Sequence, residues 1–241
     1  MNKYIFIGRK KIEHYNGLTI KADLGLHDQI TNRLQMELPP GSIILDFGAG
    51  EGALTARLND CGYKMVAVDK DEGNFKLTDA DFYRVDFDCD QEISDFVNSH
   101  KSLYDAVLSV EVIEHVKDQW RYVQQLMIMA KPGGLVLITT PNVTSWLSRL
   151  MFFFTGRFHQ FADSDLKYGH ISPICPWDLS LILSEAGAKE IHITSAGTLP
   201  PIYFSGFNKI SLMNLLMLPL RPLMVGLIDG WCVMATARKP I

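Results

Sequence analysis

The chain has 241 residues, 47% of them hydrophobic: enough for one α/β domain with a sizeable core, and short of a polytopic membrane protein. Its formal net charge of −4 argues against a dedicated nucleic-acid binder, which usually carries a basic excess or stripe. Cys61, Cys89, Cys175 and Cys232 form neither a CxxC pair nor a Cys/His finger, so free thiols in a reducing, cytoplasmic compartment are expected.

Near the start, the apolar run 4–7 is too short for a signal-peptide core. An amphipathic helix is predicted over 26–38, ended by Pro39-Pro40-Gly41. The first strand, 43–45, runs into Asp46 and a glycine loop, and a helix over 53–60 stops at Cys61-Gly62. A second strand, 65–68, ends in Asp69, and a weaker third, 82–85, ends in Asp86. A helix over 91–99 leads to a fourth strand, 104–110, followed at once by Glu111. The helix over 119–130 shows an apolar face of Trp120, Val123, Leu126, Met127 and Ala130. The turn Lys131-Pro132-Gly133-Gly134 introduces a fifth strand, 135–140. A helix over 176–186 opens on proline, and strands 190–195 and 231–237 close the chain as an antiparallel hairpin. Short apolar runs alternating with helices indicate βαβ units. The expected fold is α/β, a doubly wound, mostly parallel, seven-stranded, Rossmann-like sheet with an antiparallel last strand. A single domain over 1–241 is expected, with insertions at 143–175 and 198–230 that are too long for plain connections.

The stretch Gly48 to Ala53 satisfies the dinucleotide pattern G-x-G-x-x-G/A, so alone it fits a nicotinamide cofactor as well as S-adenosylmethionine. Asp46, two residues before the first glycine, suits the ammonium and sulfonium of S-adenosylmethionine and would repel a diphosphate. Asp69, nineteen residues after Gly50, is placed to accept both ribose hydroxyls. Asp86 is placed to accept the adenine amino group, with Phe87 as a stacking face. Three acids at successive strand ends lie on the edge where α/β sheets bind ligands.

Residues 44–52 (Ile-Leu-Asp-Phe-Gly-Ala-Gly-Glu-Gly), then Val68-Asp69, Tyr104-Asp105-Ala106-Val107, Glu111-Val112-Ile113-Glu114-His115-Val116 and Lys131-Pro132-Gly133-Gly134, resemble the class I S-adenosylmethionine-dependent methyltransferases. The likeness is to the subgroup with ubiquinone-biosynthesis O-methyltransferases and bacterial surface-polysaccharide methyltransferases. It implies S-adenosylmethionine as cofactor, with contacts at Asp46, Gly48, Ala49, Gly50, Asp69, Lys70, Asp86, Phe87, Ser109 and Glu111.

The cluster Glu111, Glu114, His115 stands where the methyl group is expected, and three readings stay open. It caps the loop; or His115 is a general base supported by the two acids; or the group, with His170, ligates a divalent ion. The last arrangement is similar to that of small-RNA 2′-O-methyltransferases, although the charge does not favour a nucleic-acid partner. No metal ligand set is assigned. The aromatic run 146–158 is either core or a lid, and His159, His170, Asp163, Asp165 and Tyr168 are positioned to orient an acceptor. The Leu/Met-rich 212–228 is interrupted by Arg221 and two prolines, which excludes a membrane span. It is read as a buried hairpin or as a peripheral contact with the inner face of a membrane. The expected reaction is methyl transfer to a hydroxyl of a small-molecule, glycan or isoprenoid/lipid-linked acceptor. A non-catalytic scaffold and a nicotinamide-dependent oxidoreductase are the alternatives.

Overall fold

The computed structural model describes residues 12–78, 80–198 and 209–241, without the side chains of 209–211 and 214, together with the backbone of 6–7 and 203–204. Seven strands form the main sheet: β1 (Ile43–Phe47), β2 (Lys64–Asp69), β3 (Asp81–Arg84), β4 (Tyr104–Val110), β5 (Ala130–Pro141), β6 (Lys189–Ala196) and β7 (Cys232–Arg238). Their spatial order is β3-β2-β1-β4-β5-β7-β6, with β7 antiparallel to both neighbours and the remaining pairs parallel. The helices are α1 (Leu26–Glu37), α2 (Ala53–Asp60), α3 (Asp90–Ser99), α4 (Gln119–Met129), α5 (Trp146–Thr155), α6 (Pro176–Glu185) and α7 (Lys209–Met217). The doubly wound sheet with an antiparallel last strand is the architecture expected from the apolar runs.

Strand periodicity sorts the core into two layers. Ile44, Ala106, Leu108, Leu135 and Leu137 point to the face covered by Leu26, Ile30 and Leu34 of α1 and Leu54 and Leu58 of α2. Their neighbours Leu45, Val107, Val136 and Ile138 point to the other face, under α3, α4 and α6. A sheet buried on both sides needs continuous rather than alternating hydrophobicity, which is why its strands read as plain apolar runs.

Three local features differ from expectation. The predicted turn 131–134 lies inside β5: Tyr104 pairs with Ala130 and Ala106 with Leu135, so four residues bulge out between them. Lys131 Nζ donates to Asp105 Oδ1 at 2.6 Å while Asp105 Oδ2 accepts the Ile43 N–H at 2.8 Å, fastening the bulge to the start of β1. Trp120 is exposed, and Tyr122 fills the inward position instead. The second insertion is no buried hairpin: α7 is followed by 3-10 turns at Leu218–Leu223 and Gly226–Ile228, with Leu212, Leu215, Leu216 and Leu223 exposed.

The order reverses between β1 and β4: the chain winds outward to β3, then crosses to β4 on the other side of β1. In such sheets the crevice at the carboxyl ends beside the reversal receives the ligand. Leu108→Ala, at a fully buried β4 position, is expected to lower unfolding free energy by about 2–5 kcal/mol in urea denaturation. Met36→Ala, on the exposed face of α1, is expected to stay within about 0.5 kcal/mol of wild type.

Candidate active site

A cavity of about 900 Å³ opens at that reversal. Its floor is the turn after β1. The N–H groups of Gly48 and Ala49 both donate to Val68 O, at 2.8 and 2.9 Å. Gly48 has φ +105°, and a Cβ there would be driven into Val112 Cγ2, so only glycine allows the turn to pass under the 111–116 loop. Asp46 is buried and accepts from Thr55 Oγ1 at 2.7 Å. Asp69 accepts the Gly50 N–H at 2.8 Å and the Asp71 N–H at 3.1 Å, and Asp86 accepts the Asp88 N–H at 3.0 Å. Asp46, Gly48, Ala49, Gly50, Asp69, Lys70, Asp86 and Phe87 share the cavity wall. Phe87 also stacks on the buried Phe47, with ring centroids 4.6 Å apart. Ser109 departs from expectation: it is fully buried behind the wall, 2.9 Å from the Tyr122 hydroxyl.

The same cavity wall holds the acid–histidine cluster. Glu111 has φ +55°, an unfavourable backbone for a side chain of its size, and β5 holds it there. Its N–H reaches Thr139 O at 3.1 Å, its Oε1 accepts from Thr139 Oγ1 at 3.0 Å, and its Oε2 lies 3.4 Å from Cys232 Sγ. Glu114 is fully buried; Thr140 Oγ1 donates to its Oε2 at 3.1 Å, whereas Oε1 has no hydrogen-bond partner. Burial, then the charge of Glu111, push the Glu114 carboxyl well above the usual range. The Glu114 carbonyl accepts the N–H groups of Ile171 and Ser172 at 3.1 and 3.0 Å, which brings His170 to His115 with ring centroids 5.0 Å apart. Gly169, at φ +84°, lets this loop approach: a Cβ there would stand 3.1 Å from His115 Nδ1.

Donor atoms of Glu114, His115 and His170 lie within 4.8 Å of one another. Glu111, included in the metal-binding reading of the sequence, is absent from this set because Thr139 and Cys232 engage its carboxylate. Of the residues read as acceptor-orienting, Tyr168 and His170 line the cavity. His159 packs edge-on against Trp231, Asp163 pairs with Arg157 at 2.9 Å, and Asp165 accepts the Ala162 N–H. The wall also carries residues to which the sequence reading assigned no role: Thr19, Lys21, Asp23, His27, Glu51 and Gln160. Thr19 follows from one overlooked signal, the Asn16-Gly17 pair, whose φ values of +48° and +81° make the tight hairpin turn such pairs favour.

A methyltransferase-domain family model matches residues 21–193, a span that takes in five of the seven sheet strands and part of a sixth, with the cavity floor and the histidine cluster. The chain belongs to the class I S-adenosylmethionine-dependent methyltransferase family. Among curated relatives of this methyltransferase, the mitochondrial ubiquinone biosynthesis O-methyltransferase of Rattus norvegicus is 34% identical over 113 residues, 43% of this chain and 32% of that protein. The ubiquinone biosynthesis O-methyltransferase of Rickettsia typhi is 29% identical over 136 residues, 56% of this chain and 52% of that protein. The chain thus matches about a third to a half of the length of these relatives. A solved S-adenosylmethionine-dependent methyltransferase from Archaeoglobus fulgidus shares the fold with TM-score 0.58 at 19% identity, covering 88% of this chain and 94% of the other. So does the magnesium protoporphyrin IX methyltransferase of Synechocystis PCC 6803 with bound S-adenosylhomocysteine, with TM-score 0.57 at 15% identity, covering 88% and 81%.

Burial pushes Asp46 of this methyltransferase up to about 6; the Thr55 hydrogen bond opposes that shift and the Asp69 charge adds to it. An acid whose folded-state pKa is raised holds its proton longer in the native chain than in the unfolded one. Its contribution to stability therefore falls as pH rises from about 4 to about 6. Without ligand, wild type is expected to lose on the order of 2 kcal/mol more over that window than Asp46→Asn, by denaturant titration at successive pH values. Parallel profiles would show that Asp46 is not the group concerned.

Proposed function

We propose that this chain transfers the methyl group of S-adenosylmethionine to a hydroxyl oxygen of a small-molecule, glycan or isoprenoid/lipid-linked acceptor. The observation carrying this reading is a single cavity wall with two chemically different groups. Asp46, Asp69 and Asp86 stand at the carboxyl ends of three neighbouring parallel strands, and Glu114, His115 and His170 line the same cavity beside them. Methyl transfer to oxygen is an in-line displacement at the sulfonium methyl, so catalysis rests on positioning and on removal of the hydroxyl proton. Burial holds the His115 imidazole below the usual histidine range, with the charges of His170 and Lys70 pressing the same way, so it is neutral at pH 7 and able to accept that proton. The ubiquinone-biosynthesis O-methyltransferases among the relatives support an oxygen acceptor. The carboxylate-rich wall disfavours a polyanion such as RNA and a diphosphate such as a nicotinamide dinucleotide.

The orphaned Glu114 Oε1 favours a second reading of the latter group. A carboxylate and two imidazoles within 4.8 Å suit a divalent ion such as zinc, and Glu114, His115 and His170 would hold it. Bound there, such an ion would polarise the acceptor oxygen.

Titration calorimetry is expected to show S-adenosylhomocysteine binding to wild type and at least about tenfold weaker binding to Asp69→Ala, which loses a hydrogen-bonding carboxylate. Preferential binding of NADH would overturn the cofactor reading. In a methylation assay on catechol or polyprenyl-phenol acceptors, a chelator that leaves the rate unchanged supports His115 as base. A loss restored by added zinc or magnesium supports the ion.

Access to a lipid-carried acceptor is supported by the surface around the cavity. No helix among the described residues is long and apolar enough to cross a membrane. Phe152, Phe153 and Phe154 of α5 are nonetheless exposed, Phe153 to 80%, and Met224 of the second insertion packs against the Trp146–Leu147 cluster beneath them. We read the two insertions as one apolar face lying against the inner surface of a membrane, a peripheral cytoplasmic position that the four free cysteines fit. Wild type is expected to float with anionic liposomes, and the triple variant Phe153→Ser, Leu216→Ser, Leu223→Ser to remain at the bottom of the gradient. Equal flotation would remove this part of the proposal.

A further inference from the structure

Gln160, in the first insertion between α5 and the Leu166–Tyr168 turn, lines the cavity, yet neither the three strand-end acids nor the histidine cluster accounts for it. Its backbone is left-handed, at φ +68°. Glycine or asparagine meets that conformation at lower cost than a side chain of this length. Contacts on either side of it, and on its carbonyl, hold it there. The His159 N–H donates to the Oγ of the fully buried Ser148 at 3.1 Å, and the Phe161 N–H donates to Phe158 O at 3.1 Å. His170 Nδ1 lies 2.8 Å from Gln160 O. A carbonyl oxygen only accepts, so Nδ1 carries a proton and a neutral His170 presents Nε2 as a lone pair.

The Nε2 of Gln160 is buried and has no hydrogen-bond partner. A buried amide donor left in that state costs free energy until an oxygen pairs with it. The His170 ring that Gln160 holds has its centroid 5.0 Å from that of His115, so this donor belongs to the stretch of wall where the hydroxyl proton is removed. The oxygen that attacks the methyl carbon gives its proton to the base and must keep a lone pair free for the new bond. An N–H directed at that oxygen would hold the lone pair back. The unpaired donor therefore suits a different oxygen of the same acceptor.

We propose that Gln160 is a specificity-determining residue whose carboxamide donates a hydrogen bond to a second oxygen of the acceptor, beside the hydroxyl that is methylated. The class selected is an acceptor with two neighbouring oxygens, the second a hydroxyl, ether or carbonyl. An acceptor with an isolated hydroxyl leaves Nε2 unpaired and binds more weakly. The proposal rests on the reading of methyl transfer to oxygen above.

The test is titration calorimetry on the full chain saturated with S-adenosylhomocysteine, with guaiacol (2-methoxyphenol) and 2-ethylphenol as probes. The two have nearly the same shape and differ by an ether oxygen replaced with a methylene. Wild type is expected to bind guaiacol about tenfold more tightly. Gln160→Met is expected to bring the two within about twofold of each other by weakening guaiacol alone, with an unchanged unliganded melting temperature. Gln160→Glu, which keeps the shape and replaces the donor with an acceptor, is expected to reverse the preference. Equal weakening of both probes in Gln160→Met would assign Gln160 a structural role, and an undiminished preference would place the second oxygen elsewhere; either overturns the proposal. Wild type without a preference for guaiacol, whether it binds both probes equally or neither, overturns it too. Failure of S-adenosylhomocysteine itself to bind would instead overturn the cofactor reading, so the two failures are distinguishable.

Discussion

The site depends on one carbonyl. Val68 O, at the end of β2, accepts the N–H groups of both Gly48 and Ala49, and this pair of bonds folds the chain back across the sheet edge after β1. The Gly50 N–H goes to Asp69 and the Gly52 N–H to Ala49 O. Four N–H groups of the glycine loop are thus satisfied within the protein. In a dinucleotide-binding turn such groups are turned toward a pyrophosphate. The same G-x-G spacing here serves an inward-bonded turn, which presents carboxylates to a ligand instead of amides. Because the turn runs beneath Val112, the floor and the cluster at 111–115 are in direct contact.

Gathering acids at one sheet edge carries an energetic cost, visible in Asp46 and Glu114, whose carboxyl groups burial holds toward the protonated form. A cationic ligand reverses the sign of that cost, because each positive centre favours the ionised carboxylates around it. A wall of this kind suits a cationic ligand better than a phosphate.

The sheet was legible because its strands are buried on both faces and read as continuous apolar runs, and because each of the first four ends in an acid at the ligand edge. Asp46, Asp69 and Asp86 accordingly share the cavity wall at the strand ends where their spacing put them. What escaped depends on register and long-range contact. The Lys131–Gly134 bulge reads as a turn because its Pro-Gly-Gly composition is the same in either setting. Ser109 sits where strand meets loop, yet its alternation turns it toward Tyr122 and away from the cavity. Glu111 and Glu114 look equivalent in sequence, but the left-handed backbone at Glu111 aims its carboxylate at Thr139, while Glu114 and His115 face His170 from 55 residues further on. Thr19 belongs to a hairpin whose strands have two residues each, too short to show a period, and only the Asn-Gly turn marks it.

Topology explains why both apolar insertions meet at the carboxyl edge of the sheet. Cys232, where β7 begins, pairs with Pro141 at the end of β5 and with Ala196 at the end of β6. All three lie on the carboxyl edge of the sheet, because β7 runs antiparallel between two strands that are parallel to each other. The segment leaving β5 and the segment joining β6 to β7 must therefore both travel along the edge where the cavity opens. An insertion at either place has that edge as its nearest surface. The packing of Met224 onto the α5 cluster and the placement of Trp231 in the cavity wall are the local results. A parallel last strand would have required a return across the sheet and would have carried the second insertion away from the site. The antiparallel β7 keeps it at the mouth of the cavity, where an apolar face can act on what enters.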